Sequence, residues 1–436
     1  MLFCTEQELE MSAKVLYCLE KMKKNKYLLA FIIVVIGFMF LGQRYIFSAN
    51  ENDSLIDTLE VEYDVLLEIE PVIREFDSII SSELRLSGTV GAALAVTFKN
   101  KIALLKCYGV KKAGENDSID AHTIFRLASV SKTISGTLAG ILVDQGLIDL
   151  DDKIVDYLPE FKLQKRESTQ NLTIRNILSH TSGILAHAYD NYVEIKTPMQ
   201  KIIPMLAQVN VLAPPGQKYD YQNVMFSLLD TVLIKKLHKP FDSIIHENLF
   251  SPFGMHDAST GFVAFDSNPN KAYPHSGASG NYRPIRMNDR YYTTLPAAGI
   301  NASIYDLAQF LLQFTSHNQP LINSDVQDII FEPQVISPLS RSYLAYWDKV
   351  DSKEYAIGWR IIGYKNRTVA YHGGYVNGYK TEIAYCDQED IGIAYLSNSP
   401  NSVASLSVPT LLNLLFKFND DKNILTSIEG SLEEEL

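Results

Sequence analysis

A serine and a lysine three residues apart are the most reactive pair of side chains in this sequence. Ser129 and Lys132 lie in residues 125–133, where an apolar segment passes into a predicted helix. Residues three apart share a helix face, so the Lys132 amine can reach the Ser129 hydroxyl and take its proton. The positive end of the helix dipole also favours an oxyanion at the first turn. Alone, the pair fits equally a helix N-terminus with a solvated lysine.

A tyrosine and an asparagine follow about 90 residues downstream. Tyr221 and Asn223 lie between a Pro-Pro-Gly turn at residues 214–216 and an apolar helical pattern that resumes at Met225. A phenol can act as base and then as acid, and an amide can bind a substrate carbonyl. The pair therefore indicates a proton relay and a substrate contact on a loop beside a cleft. The alternative is a packed aromatic ring and a helix cap.

The third element is His372-Gly373-Gly374, which lies in an extended, partly β-branched run at residues 368–379. Glycine allows the backbone to come close to a ligand, and a backbone N–H at such a place can complete an oxyanion hole. Taken alone, these residues fit a structural histidine and a turn after a strand. The occurrence of all three elements in this order favours a catalytic site.

The three elements resemble those of the serine β-lactamase and penicillin-binding-protein superfamily, in its class C or DD-peptidase-like branch. The likeness extends over about residues 68–415, and it includes four further segments: residues 172–184, 298–307, 355–359 and 391–398. The resemblance implies an α+β fold with three α/β/α layers. In that fold an antiparallel sheet is built from both chain ends and flanked by helices, with a mostly helical subdomain inserted at about residues 130–330.

The resemblance also implies roles for the reactive residues. Ser129 would be the acylated nucleophile, Lys132 its proton partner and Tyr221 a second acid or base. Asn223 would orient the substrate amide. His180, in the segment 172–184, would be structural, because family motifs of this kind place it in a buried, hydrogen-bonded turn.

The predicted strand would supply the rest of the site. The resemblance implies an oxyanion hole made by the backbone N–H groups of Ser129 and Tyr375 beside Gly374, with His372 lining the cleft. Many β-lactamases carry a lysine, in a Lys-Thr-Gly motif, where this chain has His372. A histidine is mostly uncharged near pH 7, so it would attract a substrate carboxylate less than lysine does. The histidine form also occurs in DD-peptidases, D-amino-acid peptidases and esterases of the family.

Composition is consistent with an enzyme that needs no bound cofactor. The chain has 436 residues, of which 46% are hydrophobic, enough for one large core or two modest ones. A net charge of −12 and a pI near 5.3 argue against a nucleic-acid partner. The sequence contains no zinc-binding pattern, no phosphate-binding loop and no Gly-x-Ser-x-Gly elbow. We therefore predict a small-molecule or peptide substrate, no metal and no cofactor.

The first 65 residues predict a membrane segment and a linker. Lysines at positions 21, 23, 24 and 26 precede an apolar run at residues 27–42, which indicates a cytoplasmic N-terminus and a translocated C-terminal domain. We expect an extension of doubtful role at residues 1–21, an anchor or cleaved signal at 22–48 and a polar tether at 49–65. The hydrolase domain would cover residues 66–418, followed by an acidic tail at 419–436.

Together these observations predict a membrane-anchored serine hydrolase outside the cytoplasm that works through an acyl-enzyme. The leading substrate is the D-alanyl stem peptide of peptidoglycan, which lies on that side of the membrane. The alternatives are a class C-type β-lactamase, a small-ester hydrolase, or a non-catalytic receptor for penicillin-like ligands. Family topology would place Cys107 and Cys386 about three strands apart, too far for a disulfide. We therefore predict two free thiols.

Overall fold

The computed structural model describes residues 53–315 and 321–434, and it describes side chains from 66 to 315 and from 321 to 422. The predicted extension and membrane segment, residues 1–48, lie outside this range. Within the described residues, no helix combines the length and the apolar composition needed to cross a membrane. Residues 66–436 form one compact unit.

One antiparallel sheet of eight strands dominates this unit, in the order β2-β1-β13-β12-β11-β10-β9-β8. Two of its strands come from the start of the domain and the others from its end, as predicted. Tight pairing of β1 with β13 joins the two ends of the domain, from Ala92 opposite Ser397 to Phe98 opposite Ile391. The sheet strands are β1 Gly91–Phe98, β2 Lys101–Gly109, β8 Val335–Ile336, β9 Val350–Tyr355, β10 Arg360–Tyr364, β11 Arg367–Val376, β12 Tyr379–Cys386 and β13 Ile391–Ser397. Two small sheets lie outside it, formed by β3 Phe125–Arg126, β4 Ser259–Thr260 and β7 Ile300–Ala302, and by β5 His275–Ser276 and β6 Arg283–Pro284.

A hairpin of β1 and β2 opens the sheet at the start of the domain. Lys99 and Asn100 both adopt positive φ, 44° and 64°, between β1 and β2. Two such residues in succession match the right-handed twist of the paired strands. Every residue of β1 is buried, so this strand, between β2 and β13, has both faces covered. The three-layer α+β fold is therefore confirmed.

Helices cover both faces of the sheet and form most of the region between its two halves. Gly392 on β13 faces Leu311 of a helix on one side, whereas Tyr395 donates to Asn401 at the start of the C-terminal helix on the other. The bounds of the helices are α1 Asp53–Ser87, α2 Ser131–Asp144, α3 Ile154–Tyr157, α4 Arg166–Asn171, α5 Ile174–Leu178, α6 Asp190–Glu194, α7 Met199–Met205, α8 Asn223–Phe226, α9 Leu228–Leu237, α10 Phe241–Ile245, α11 Phe262–Ser267, α12 Leu295–Ala298, α13 Ile304–Leu312, α14 Ser324–Phe331 and α15 Val403–Glu434.

Both ends of the domain are more helical than the sequence indicated. The backbone of α1 begins at Asp53, so residues 53–65 of the predicted tether are helical; they contain no Gly or Pro to interrupt the helix. The C-terminal helix α15 continues to Glu434 and includes most of the predicted acidic tail.

One strand edge in the sheet is important for the site. Strand β10 pairs with β11 only as far as Arg360 opposite Tyr371, so residues 372–376 pair with β12 alone and leave a free strand edge.

Cys107 on β2 and Cys386 on β12 are separated by β1 and β13. Both described cysteines are free thiols, as predicted.

Candidate active site

Ser129 lies in a tight turn directly before a buried helix. A 3₁₀ turn at Ala128–Val130 leads into α2, and Ser129 is half-buried. Ala128 has a φ of 49°, a left-handed conformation that an alanine rarely adopts. Such backbone outliers cluster at functional sites, where the surrounding structure holds them. The turn presents the Ser129 hydroxyl at the start of α2.

Lys132 is fully buried one turn further along α2. Its Nζ lies 3.5 Å from Ser129 Oγ and donates to Asn223 Oδ1 at 2.8 Å and to the Ala297 carbonyl at 2.9 Å. Burial lowers the pKa of Lys132 well below its usual value, and Arg360 lowers it further, whereas Asp190 raises it. A neutral amine in this position can accept the proton of Ser129.

Tyr221 approaches the same oxygen from another direction. Its hydroxyl donates to Ser129 Oγ at 3.0 Å. Burial raises the pKa of Tyr221 to about 12, against the opposing effects of Arg360 and of the bond to Ser129. The phenol is therefore protonated at neutral pH and can donate a proton to a leaving group. Ser129 thus has two titratable partners, an amine whose neutral form is favoured by burial and a protonated phenol.

His180 holds the loop that carries Tyr221. The His180 ring packs on the Tyr221 ring with 4.3 Å between centroids. Its Nδ1 accepts from the backbone N–H of Gln222 at 3.2 Å, and its carbonyl accepts from Asp220 N–H at 2.9 Å. Burial lowers the pKa of His180 well below its usual value, so the ring is a neutral acceptor. This geometry agrees with the structural role expected for His180.

Asn223 connects Lys132 to an acidic residue that the sequence reasoning missed. Its Oδ1 accepts from Lys132, and its Nδ2 donates to Asp190 Oδ2 at 3.0 Å. The same Asp190 oxygen lies 2.8 Å from Nδ1 of His187. Asp190 is the first residue of a five-residue helix in a polar loop, and nothing in its spacing from Asn223 indicated this contact. The side-chain amide is thereby bonded at both ends within the protein.

Gly374 brings β11 against the nucleophile. A Cβ at this position would lie 2.4 Å from Thr381 Oγ1, 2.7 Å from the Leu127 carbonyl and 3.0 Å from the Ser129 backbone nitrogen. Only glycine allows this approach, because a real Cβ does not occur so close to backbone atoms. The close approach places the strand beside the Ser129 N–H. The next residue, Tyr375, has a side chain that is largely exposed.

His372 lies on the strand expected for it, but its imidazole is buried and bonded within the protein. Nε2 lies 3.2 Å from the Tyr355 hydroxyl, and Nδ1 lies 2.8 Å from the Gly373 carbonyl. Burial lowers the pKa of His372 well below its usual value, and Arg360 and Lys132 act in the same direction. The ring is therefore neutral. A direct contact with a substrate would require it to give up one of these hydrogen bonds.

Arg360 is a second residue that the sequence reasoning missed. It begins β10, is only 6% exposed, and donates from Nη1 to the Tyr219 hydroxyl at 3.1 Å and to Ser337 Oγ at 3.2 Å. Its guanidinium carbon lies 5.6 Å from the centre of the Tyr221 ring and 5.0 Å from that of Tyr343. Among the described side chains, no carboxylate lies within 4.0 Å of it. An arginine in the apolar run 355–364 was the available signal.

A cavity of about 370 Å³ lies beside the free edge of β11. Its walls include the backbone of Gly373, Gly374 and Tyr375, together with the side chains of Tyr343 and Glu382. It therefore reaches the strand residues that adjoin Ser129. Across residues 53–315 and 321–434, no three His, Cys, Asp or Glu side chains are grouped so that they could hold a metal ion.

At this site a serine oxygen contacts a buried amine and a phenol beside a glycine-lined strand. This arrangement defines the protein as a serine hydrolase. The family model named Beta-lactamase matches residues 76–415. That is most of the chain, and the protein belongs to the β-lactamase family, within the serine β-lactamase and penicillin-binding-protein superfamily.

Known proteins similar to this chain include a β-lactamase, a penicillin-binding protein and a β-lactamase-like protein. A β-lactamase of Providencia stuartii is 26% identical over 352 residues, covering 74% of this chain and 86% of its own. Penicillin-binding protein 4 of Amycolatopsis lactamdurans is 29% identical over 170 residues, covering 39% of this chain and 44% of its own. Beta-lactamase-like protein 4 of Dictyostelium discoideum is 24% identical, and this chain spans 61% of its length.

Two solved structures share the fold. The octameric penicillin-binding protein homologue from Pyrococcus abyssi superposes with a TM-score of 0.67 at 19% identity, covering 78% of this chain and 77% of its own. EstCE1, a hydrolase with promiscuous acyltransferase activity, superposes with a TM-score of 0.66 at 17% identity, covering 80% of this chain and 99% of its own. At these identities the likeness concerns the fold alone.

Proposed function

We propose that this protein is an extracytoplasmic serine hydrolase that forms an acyl-enzyme at Ser129 with D-alanyl peptides of peptidoglycan, in the manner of a D-alanyl-D-alanine carboxypeptidase. The observation that carries this choice is Arg360, a buried guanidinium beside the site without a carboxylate partner among the described residues. A substrate that ends in a carboxylate would supply the missing anion.

The acylation step follows from the contacts of Ser129. Lys132 Nζ accepts the Ser129 proton while Oγ attacks the carbonyl carbon of the substrate. The backbone N–H groups of Ser129 and Tyr375 stabilise the oxyanion. Tyr221 then donates its phenol proton to the leaving nitrogen as the C–N bond breaks, and the lysine proton restores the phenol. Hydrolysis of the ester by water uses the same relay in reverse.

The electrostatics of Arg360 support a carboxylate-bearing substrate. Burial of a cation without an anionic partner is unfavourable, and tyrosine rings offset only part of that cost. Arg360 lies near Tyr221 on one side and near Tyr343 on the other, and Tyr343 Oη accepts from the Gly373 N–H at the strand edge. A carboxylate placed along this edge would therefore meet the positive charge that the neutral His372 does not provide.

Matched acyl donors test this assignment. We expect Arg360→Gln to lower kcat/KM for a peptide donor with a free terminal carboxylate by about 10- to 100-fold, the scale of a charge-assisted hydrogen bond of ~1.5–3 kcal/mol. The kcat/KM for the methyl ester of the same donor should fall much less. Circular dichroism and the methyl-ester activity report whether the variant is folded. Equal losses for both donors would assign Arg360 to packing and remove the argument for a carboxylate substrate.

A small-ester hydrolase is the second candidate, and a class C-type β-lactamase the third. The neutral, internally bonded His372 and the fold shared with EstCE1 favour the ester candidate. The rate of deacylation distinguishes the three candidate functions. Intact-mass measurements over time with a fluorescent penicillin and a fluorophosphonate would show a long-lived penicillin adduct for a peptidase and rapid turnover for a β-lactamase. Ser129→Ala should abolish both adducts.

The non-catalytic receptor is the least favoured alternative. A pure binding protein has no need to keep a buried amine and a phenol on the oxygen of one serine, as Lys132 and Tyr221 are here. Recovery of labelled Ser129 without any release of product from esters or peptides would support the receptor instead.

We further propose that an N-terminal membrane segment anchors the domain outside the cytoplasm. The support is the lysine cluster before the apolar run at residues 27–42. Protease added to intact spheroplasts should digest the hydrolase domain and leave the lysines before residue 27 protected. A domain that is digested only after the membrane is broken would contradict this topology. Release of a domain shortened near residue 49 would indicate a cleaved signal.

A further inference from the structure

The two faces of β11 are chemically different. His372 and Gly374 lie on the face towards Leu127 and Ser129, where the Thr381 hydroxyl of β12 also donates to the Leu127 carbonyl at 2.8 Å. Because side chains alternate along a strand, the intervening position 373 belongs to the opposite face. Its partner across the β11–β12 pair is Glu382, which lines the 370 Å³ cavity. A substrate extended along the free edge would direct alternate groups to Ser129 and into this cavity.

Glu382 occupies space that exists because residue 373 is a glycine. A Cβ at position 373 would lie 2.7 Å from Glu382 Oε2 and 3.0 Å from the Tyr343 hydroxyl. The Tyr371 hydroxyl donates to the same Glu382 oxygen at 2.6 Å. In the Lys-Thr-Gly form of the motif a threonine stands at this position. This chain therefore has a buried carboxyl where a hydroxyl would otherwise reach the strand edge.

Glu382 has no ion-pair partner among the described side chains, although charged groups lie near it. No Lys, Arg or His nitrogen among the described side chains lies within 4.0 Å of its carboxyl. The titratable or charged groups that face it come from β10, the loop before β9, β11, β12 and β13: Arg360, Tyr343, Tyr371, Lys380 and Tyr395. Burial raises the pKa of Glu382 to about 7, while the bond from Tyr371 and the charges of Lys380 and Arg360 act in the opposite direction.

We propose that Glu382 is a proton-dependent specificity residue of this cavity. When it is protonated, its hydroxyl donates to a substrate carboxylate that also meets Arg360. When it is ionised, it repels that carboxylate and leaves neutral substrates unaffected. This inference rests on the proposed function, because it concerns the subsite for the substrate carboxylate. It assigns the pH dependence of selectivity to Glu382 and not to the internally bonded His372.

The test is the ratio of kcat/KM for a free-carboxylate donor to that for its methyl ester, measured from pH 5.5 to pH 8.5. In the wild type we expect this ratio to fall about tenfold or more as pH rises through 7. Glu382→Gln should abolish the fall, because an amide stays neutral and can still donate. Glu354→Gln, a change of another glutamate in the same sheet, should keep the wild-type slope. His372→Asn should keep it as well.

A second variant remains informative if Glu382→Gln does not fold. Tyr371→Phe removes the hydrogen bond that favours the ionised carboxyl, so the midpoint of the fall should move to higher pH. A flat ratio in the wild type, an unchanged slope in Glu382→Gln, or an unshifted midpoint in Tyr371→Phe would overturn the proposal. Loss of the slope in His372→Asn would transfer the role to the histidine. If Arg360→Gln lowers kcat/KM for the free-carboxylate donor more than for its methyl ester, the proposed function survives a failure at Glu382.

Discussion

At the scale of single residues, burial decides which groups can exchange protons. Lys132 and Tyr221 lie on the same serine oxygen, yet burial shifts their pKa values in opposite directions, down for the amine and up for the phenol. The lowered pKa of Lys132 favours the neutral amine, which can accept a proton, and the raised pKa of Tyr221 keeps the phenol protonated near pH 7, so that it can donate. This division supports the proposed roles of Lys132 as base and Tyr221 as acid in acylation.

The relay predicts losses that do not multiply. We expect Lys132→Ala and Tyr221→Phe each to slow acylation by about 100-fold or more, the scale of general acid–base catalysis. Since the two residues serve one relay, the double variant should be little slower than the slower single variant. Single-turnover experiments with a chromogenic ester measure the acylation rate of each of the three variants. Fully multiplicative losses would mean that the two residues act independently.

Asp190 should set the acid limb of the pH profile. Its negative charge raises the pKa of Lys132, so Asp190→Asn should lower that pKa further. A base with a lower pKa is deprotonated at lower pH, and the acid limb of kcat/KM for a neutral ester should therefore shift to lower pH. Glu194→Gln, on the same helix but bonded to Tyr291, is the control and should not shift it. A shift in the other direction would exclude this electrostatic role.

At the scale of elements, two glycines let strands pass against the nucleophile helix. Gly374 brings β11 to Ser129, and Gly358, with φ of 77°, brings the turn before β10 to within 2.2 Å of the Lys132 carbonyl, measured from the position of a Cβ. Both approaches connect the late half of the sheet to α2. They explain why the site depends on backbone contacts as much as on the reactive side chains.

Gly374→Ala should damage catalysis more than stability. The added methyl group would displace the Ser129 backbone nitrogen or the Leu127 carbonyl, and loss of one oxyanion-hole donor lowers kcat by about 100- to 1000-fold. Gly146→Ala is the control for a strained glycine away from the site, because that position has a φ of 67° and no atom within 4 Å of a Cβ. The acylation rate and the melting temperature of both variants test this prediction. Normal acylation by Gly374→Ala would contradict the proposed oxyanion hole.

At the scale of the whole molecule, one sheet joins residues from the two ends of the domain. Strands β1 and β2 come from its start, and β13 to β8 come from its end, with the helical region between them in sequence. Ser129, the proposed nucleophile, follows the first pair of strands, whereas the strand edge and Arg360 belong to the late strands. The site can form only when both halves of the sheet have paired.

The two thiols of the sheet report on this pairing. Burial raises the pKa of Cys107 to about 11 and that of Cys386 to about 12, so neither should react readily while the sheet is intact. Alkylation at pH 8 without reductant, read by peptide mass spectrometry, should modify both only after unfolding in denaturant. Recovery of a disulfide-linked peptide, or rapid native labelling of Cys386, would contradict the sheet order.

The sequence by itself determined the class of the protein. Ser129 and Lys132 share a helix face through local spacing, and the hairpin β1–β2 consists of two largely apolar runs around the polar turn at Lys99 and Asn100, so both can be predicted from neighbouring residues. The sheet from both chain ends and the site residues Tyr221 and His372 came from the order of motifs along the chain. Local periodicity and motif order carry this information because they do not depend on three-dimensional distances.

Only the tertiary structure decided which charges surround the reaction. Arg360 and Glu382 both lie near Tyr343 because β10, β11 and β12 pair in one register, and Asp190 reaches Asn223 from a separate loop. The direction of the His372 ring likewise depends on Tyr355, a neighbour across the sheet. These contacts join residues that are distant in sequence, and their effect on each pKa comes from burial, which exists only once the chain has packed.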